Sequence, residues 1–152
     1  LPETLSTMSN GDQTVWVTGH SLGGALAVLA AVKLFVESRV DIAGLYTFGQ
    51  PPLGTLGFCS ELEKQLPARF FRFVDHTDAV SDVPIFSHVG EVRYFDTHGS
   101  MHLGEPPWHV VFGDYMRAPR LFGGLHMFAA HAKDRYRDLL VAQLSGEDKF
   151  QE

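Results

Sequence analysis

The feature that most constrains this chain is Gly19-His20-Ser21-Leu22-Gly23-Gly24, which joins the β-rich run Val15-Trp16-Val17-Thr18 to the apolar run Ala25-Leu26-Ala27-Val28. A G-x-S-x-G pattern alone is common. Between a strand and a helix it predicts a turn so sharp that the serine is thrust out at the strand's carboxyl end, above the amino terminus of the helix. Gly19 and Gly23 are both expected to lack side chains because a Cβ there would collide with the neighbouring strand or helix. The Leu22 N–H is expected to point to where an oxyanion would form, with the helix dipole favouring that charge. The structural alternative is a helix N-cap serine with glycines for close packing.

The rest of the chain builds layers around this turn. Residues 22–37 carry hardly a polar side chain, which predicts a helix buried on nearly all sides. Residues 42–48 predict a second strand, ended by Gly49-Gln50-Pro51-Pro52. Residues 56–66 repeat at helical spacing with Glu61, Glu63 and Lys64 facing out. A third strand is expected over 69–74, followed by a polar loop to Pro84. Residues 92–95 read as a strand with a hairpin partner near 87–89, and the Gly- and Pro-rich stretch 96–107 as loop. Residues 129–144 read as a closing amphipathic helix with Arg135, Arg137 and Asp138 exposed. Strand–helix–strand–helix–strand in this order predicts an α/β fold: a mostly parallel sheet, flanking helices and a C-terminal helix.

Composition narrows the function classes. With 152 residues, 45% apolar and 20% charged, residues 1–152 are expected to form a single globular domain, burying roughly 68–70% of its unfolded surface. Twelve basic against eighteen acidic residues, with no Lys/Arg cluster, speak against nucleic acid as a partner. The longest apolar stretch, 23–36, contains Lys33 and falls short of the roughly 20 residues that span a bilayer, so no transmembrane segment is expected. Cys59 is the only cysteine, which excludes an internal disulfide. The chain opens Leu1-Pro2-Glu3-Thr4, without an initiator Met or signal peptide, and reads as the continuation of something begun earlier.

A serine nucleophile needs a base, and the base an orienting carboxylate. On sheets with this kind of turn the chain order is Ser, then Asp or Glu, then His. Among Asp41, Asp75, Asp78, Asp82, Asp96 and Asp114, only Asp75, Asp78 and Asp82 fall at the exit from a predicted central strand, where catalytic groups collect. His88, His98, His102, His109, His126 and His131 compete to be the base, and spacing alone does not choose among them.

The run Gly19-His20-Ser21-Leu22-Gly23-Gly24-Ala25-Leu26-Ala27 resembles the class 3, fungal-type lipases. Thr47-Phe48-Gly49-Gln50-Pro51 followed by Gly54 is similar to the family's T-F-G-x-P-R-V-G turn, with Pro52 where the family has Arg. Arg72-Phe73-Val74-Asp75-His76-Thr77-Asp78-Ala79-Val80 with Pro84 resembles R-V-V-N-x-x-D-x-V-P-x-L-P, with Asp75 at the Asn position and Ser81 at the first Pro. Ser87-His88-Val89-Gly90-Glu91 and Tyr94-Phe95 resemble the hairpin that follows. His131 and Tyr136 match the family's D-H-x-x-x-x-Y at the last helix, with Ala130 in place of the Asp; His126 has no such Tyr.

The resemblance runs from Val15 to about Leu144. It implies a partial α/β-hydrolase fold and a lipase-like serine hydrolase that cleaves carboxylic esters of lipids through an acyl-enzyme. Carried over residue by residue, the triad is Ser21, Asp78 and His131, and the Leu22 N–H lies in the oxyanion hole. The implied substrate is a lipid or ester, with interfacial contact to lipid, and no cofactor is implied. The family's first oxyanion donor and lid precede the segment that matches Leu1, so the chain resembles the carboxyl-terminal half of such a domain. A non-catalytic fragment or subunit that keeps the half-sheet for binding, with the amino-terminal half supplied elsewhere or lost, is the alternative function. A metal site on His98 and His102, four apart, is a third reading, opposed by Gly99 and the Gly/Pro-rich flanks.

Overall fold

The computed structural model describes residues 14–38, 40–66, 69–76, 78, 87–117 and 131–145. Strand β1 (Val15–His20) leads through Ser21 into helix α1 (Leu22–Ser38). Strand β2 (Ile42–Phe48), helix α2 (Leu56–Glu63) and strand β3 (Phe70–Asp75) follow, then β4 (Glu91–Phe95) and β5 (Met101–Leu103). Helices α3 (Trp108–Arg117) and α4 (Lys133–Ser145) complete the described elements. The strands form one sheet in the order β1-β2-β3-β4-β5. The first four are parallel and β5 is antiparallel to β4.

Alternation along the strands decides what each sheet face covers. Leu45 and Phe70 join Val28, Ala31, Cys59 and Leu62, so α1 and α2 lie on one face. Val74 and Tyr94 share that face farther along and meet Val110 of α3. Tyr46, Phe48, Phe71 and Phe73 point the other way, where Tyr136 and Leu139 of α4 close over them. Burying each such side chain contributes about 1.5–3 kcal/mol. Stacked Phe48, Phe73 and Phe95 run across three adjacent strands, with ring centroids 5.0 and 6.2 Å apart. The α4 side is therefore an aromatic layer lying directly under the carboxyl ends of β2, β3 and β4.

Several expectations change. The partner of β4 is Met101–Leu103, not 87–89, so part of the expected loop 96–107 is a strand. Ser87 instead makes an isolated bridge to Gly54. Gly104 at φ +85° ends β5, and its N–H bonds back to the Val92 carbonyl, a closure that three residues of strand do not announce in sequence. Helix α1 is not buried all round. Gly24, Ala25, Ala27, Val28, Ala31 and Leu34 face the sheet, while Leu22, Leu26, Leu29 and Val36 stay exposed. The apolar run covers both sides of the helix, but the sheet takes only one. Arg135 is half-buried against Asp75 rather than exposed. The helix expected over 129–144 has its described part at Lys133–Ser145; residues 129 and 130 lie outside the described residues. Helix α3 has no counterpart among the expected elements. No helix among the described residues is long and apolar enough to cross a membrane.

Candidate active site

The turn after β1 is as sharp as its residues require. Ser21 sits at φ +56°, the left-handed region that costs a side-chain-bearing residue about 1–3 kcal/mol. Its N–H donates to the Phe48 carbonyl at 2.9 Å, and its carbonyl accepts from the Gly24 N–H at 2.8 Å. These bonds hold the strained residue between the end of β2 and the first turn of α1. A Cβ on Gly19 would lie 2.2 Å from the Gly23 carbonyl oxygen, so glycine is obligatory there. The matching expectation for Gly23 does not hold, since a Cβ there meets nothing within 4 Å. Gly23 is on the solvent side of α1; Gly24 is the one that faces inward, where an added Cβ would lie 3.2 Å from both Gln50 Cβ and the Gly19 carbonyl oxygen. Leu22 is the first residue of α1, so its N–H is one of the amides that a helix leaves without an intrahelical acceptor.

Three residues far apart in sequence meet at this turn. His131 Nε2 lies 2.6 Å from Ser21 Oγ, and His131 Nδ1 lies 3.0 Å from both carboxylate oxygens of Asp78. A carboxylate only accepts, so Nδ1 carries the proton and Nε2 presents its lone pair to the Ser21 hydroxyl. Asp78 is fully buried, and Tyr136 donates its O–H to Asp78 Oδ2 at 2.6 Å. The same phenol oxygen accepts from the Asp75 N–H at 3.1 Å. Burial, and then the Asp78 charge beside it, push the Tyr136 phenol far above its ordinary value, so it stays a donor.

The other acid candidates are committed elsewhere or lie apart. The Asp75 carboxylate is 2.9 Å from Arg135 Nε and 3.2 Å from His76 Nδ1. Arg135 thereby supplies a positive charge beside the buried Asp75 carboxylate, which would be costly without one. Asp96 binds His102 at 3.0 Å and accepts the N–H groups of His98 and Ser100. Asp114 accepts from the Tyr94 hydroxyl and the Thr97 N–H. Asp41 is exposed ahead of β2, and Asp82 lies outside the described residues. Of the histidines, His88 lies between the Ser87 bridge and β4, His98 in the β4–β5 turn and His109 on the exposed side of α3. His126 lies outside the described residues. His98 and His102 do not share a helix, and no group of three His, Cys, Asp or Glu suited to a metal occurs among the described residues.

Two positioning groups escaped the sequence reading. Tyr136 was a spacing marker only, and its tie to Asp78 became visible once α4 was docked on the sheet. Gly49, at φ +55°, leaves room for the Asp78–His131 pair: a Cβ there would lie 2.5 Å from Asp78 Oδ2 and 3.0 Å from His131 Nδ1. Its place between the strand 42–48 and two prolines was the available signal.

The sequence profile of the family described as Lipase (class 3) matches residues 3–88. The chain is 36% identical over 111 residues to "Triacylglycerol lipase OBL1" of Nicotiana tabacum, covering 64% of this chain and 19% of that protein. It is 36% identical over 139 residues to "Triacylglycerol lipase OBL1" of Arabidopsis thaliana, covering 78% of this chain and 27% of that one. Among solved structures, the lipase of Rhizopus microsporus var. chinensis superimposes with a TM-score of 0.53 at 32% identity, over 60% of this chain and 35% of that one. The Lip2 lipase of Yarrowia lipolytica shares the fold, with a TM-score of 0.61 at 22% identity over 85% of this chain and half of that one. The chain thus spans between 19% and 27% of the length of these curated relatives. Because the family profile covers more than half of the sequence, from ahead of β1 to beyond Asp78, this chain, with its partial α/β-hydrolase sheet, belongs to the class 3 lipase family.

Proposed function

We propose that the chain carries the catalytic triad of an ester hydrolase acting on lipids, with residues 1–152 as one domain of it. The observation that carries this is the unbroken relay from Ser21 Oγ through His131 to the buried Asp78, at 2.6 and 3.0 Å. Ser21 Oγ attacks the ester carbonyl while His131 Nε2 takes its proton. Asp78 holds the imidazole tautomer and balances the imidazolium. The carbonyl oxygen becomes an oxyanion facing the Leu22 N–H and the positive end of α1. The tetrahedral intermediate collapses, His131 returns the proton to the leaving alcohol, and Ser21 keeps the acyl group. Water, deprotonated by His131, then cleaves the acyl-enzyme and restores the serine, a route that needs no cofactor. Fatty-acyl glycerol esters are the substrate class suggested by the relatives' names.

The test is labelling by a fluorophosphonate together with hydrolysis of short- and long-chain p-nitrophenyl esters. Ser21 is expected to be the one serine labelled. His131→Ala is expected to remove labelling and turnover, the latter by about 10⁴-fold or more, as for other members of a triad. His126→Ala is expected to keep most of both. Labelling elsewhere with Ser21 untouched, or loss of activity on His126→Ala alone, would overturn the assignment. A folded chain that neither labels nor turns over would favour a non-catalytic subunit.

A further inference from the structure

We infer that His20, the residue before the nucleophile, is a positioning residue that clamps the main chain of His131. This rests on the ester-hydrolase reading above. His20 ends β1, and its Nε2 lies 2.5 Å from the His131 carbonyl oxygen. A carbonyl only accepts, so Nε2 carries the proton and donates it. The two imidazoles are also in contact, tilted against each other with centroids 4.8 Å apart and planes inclined by 37°. The edge of Tyr136 closes the third side, at 6.1 Å from the His20 ring.

The consequence is a two-point attachment between adjacent residues of one chain end and a single residue of another. Ser21 meets the His131 side chain, and His20 meets its backbone, across 110 and 111 residues of sequence. His131 lies in the turn before α4, not within the helix, so intrahelical hydrogen bonds do not fix its backbone. Asp78 fixes only its ring. A ring held at Nδ1 can still swing about that bond, and the Nε2 to Oγ distance is what such a swing changes. The bond from His20 ties the pivot to the strand that carries Ser21, so base and nucleophile move together.

The experiment compares His20→Phe, which keeps a ring but has no donor, with His20→Gln, whose amide N–H reaches as far as Nε2. On p-nitrophenyl butyrate, His20→Phe is expected to lose about 10²-fold in kcat, the cost of a misplacement near 1 Å. Its KM should stay within about twofold, since the substrate contacts are untouched. His20→Gln is expected to recover kcat to within about threefold of the parent, as restoring an oriented donor should. A readout independent of turnover is the low-field proton resonance of His131 Nδ1–H, assigned by its loss in His131→Ala. It should persist in His20→Gln and broaden or vanish in His20→Phe. If His20→Phe does not fold, His20→Asn, too short to reach the carbonyl, takes its place. Full kcat with an unchanged resonance in the donor-less variant, or no recovery with Gln, would overturn the clamp. A parent chain that turns over no ester would sink the hydrolase reading alone, because the resonance comparison still decides the clamp.

Discussion

At the residue scale, the site depends on a few groups that keep charges and dihedrals where they are unfavourable by themselves. Asp78 is buried with the His131 N–H and the Tyr136 O–H aimed at it, and Asp75 is buried against Arg135. Removing one donor leaves a charged acceptor under-satisfied, which costs more than the donor's net contribution. Tyr136→Phe keeps the packing of the ring and deletes the O–H. It is expected to lower stability by about 1.5–3 kcal/mol, the range for hydrogen bonds to charged groups. Turnover should fall with it, because the phenol that fixes the carboxylate is gone. Urea denaturation and ester turnover check both, and an unchanged midpoint with full kcat would refute the role. Ser21 carries its strain for a different reason: at φ +56° its Oγ stands clear of the backbone and in line with His131.

At the element scale, two features separate what the strand–helix turn needs from what it merely contains. Gly19→Ala would drive a Cβ to 2.2 Å from a backbone oxygen, whereas Gly23→Ala enters open space. The first is expected to destabilise by about 3 kcal/mol or more and to abolish labelling of Ser21. The second is expected to be neutral or stabilising by about 0.5–1 kcal/mol, since alanine is the better helix former. Equal losses from both in thermal unfolding would contradict the geometry. The β4–β5 hairpin offers a pH-dependent test. Burial alone would raise the Asp96 carboxyl, but the hydrogen bond from His102 and the N–H groups of His98 and Ser100 outweigh it and hold the group below its ordinary value. A carboxylate depressed in the folded state stabilises fully above its unfolded value near pH 3.9 and loses that contribution as pH falls through the lower folded one. Hydrogen-exchange protection of 93–103 is therefore expected to drop on acidification below about pH 4. Asp96→Asn should flatten that dependence, and a parent hairpin equally protected at pH 6 and pH 3 would refute it.

At the scale of the whole molecule, apolar surface is unevenly distributed. The α4 face of the sheet is closed by aromatic rings, while the outer side of α1 leaves Leu22, Leu26 and Leu29 between 43% and 65% exposed. β1 is an edge strand among the described residues, and its own Trp16 is half-exposed. Edge strands and contiguous apolar patches are both templates for association. The 152-residue chain on its own is expected to self-associate at micromolar concentration. Leu26→Glu with Leu29→Lys should reduce that association severalfold without loss of Ser21 labelling. Light scattering measures the first and phosphonate uptake the second; a monodisperse parent would refute the expectation.

The sequence alone determined the local conformations whose causes are local. The glycines and β-rich run around Ser21 dictate the turn, and the run Ile42–Phe48, stopped by Gly49-Gln50-Pro51-Pro52, reads as a strand that appears with the same bounds. The exposed Glu61 and Glu63 of α2, and Lys64 at its carboxyl-terminal cap, followed from helical spacing. A three-residue strand such as β5 carries too little pattern to be seen, so its pairing with β4 emerged only from the sheet. The apolar composition of α1 marked a core helix but not which side the core would take. Residue chemistry left three acids and six histidines open, and resemblance rather than spacing singled out Asp78 and His131. Their meeting across 53 residues, and with Ser21 across 110, is decided by strand register and by α4 docking on the aromatic layer. Hydrogen bonds between groups so distant in sequence exist only once packing has brought the backbones together, and no local preference encodes that distance.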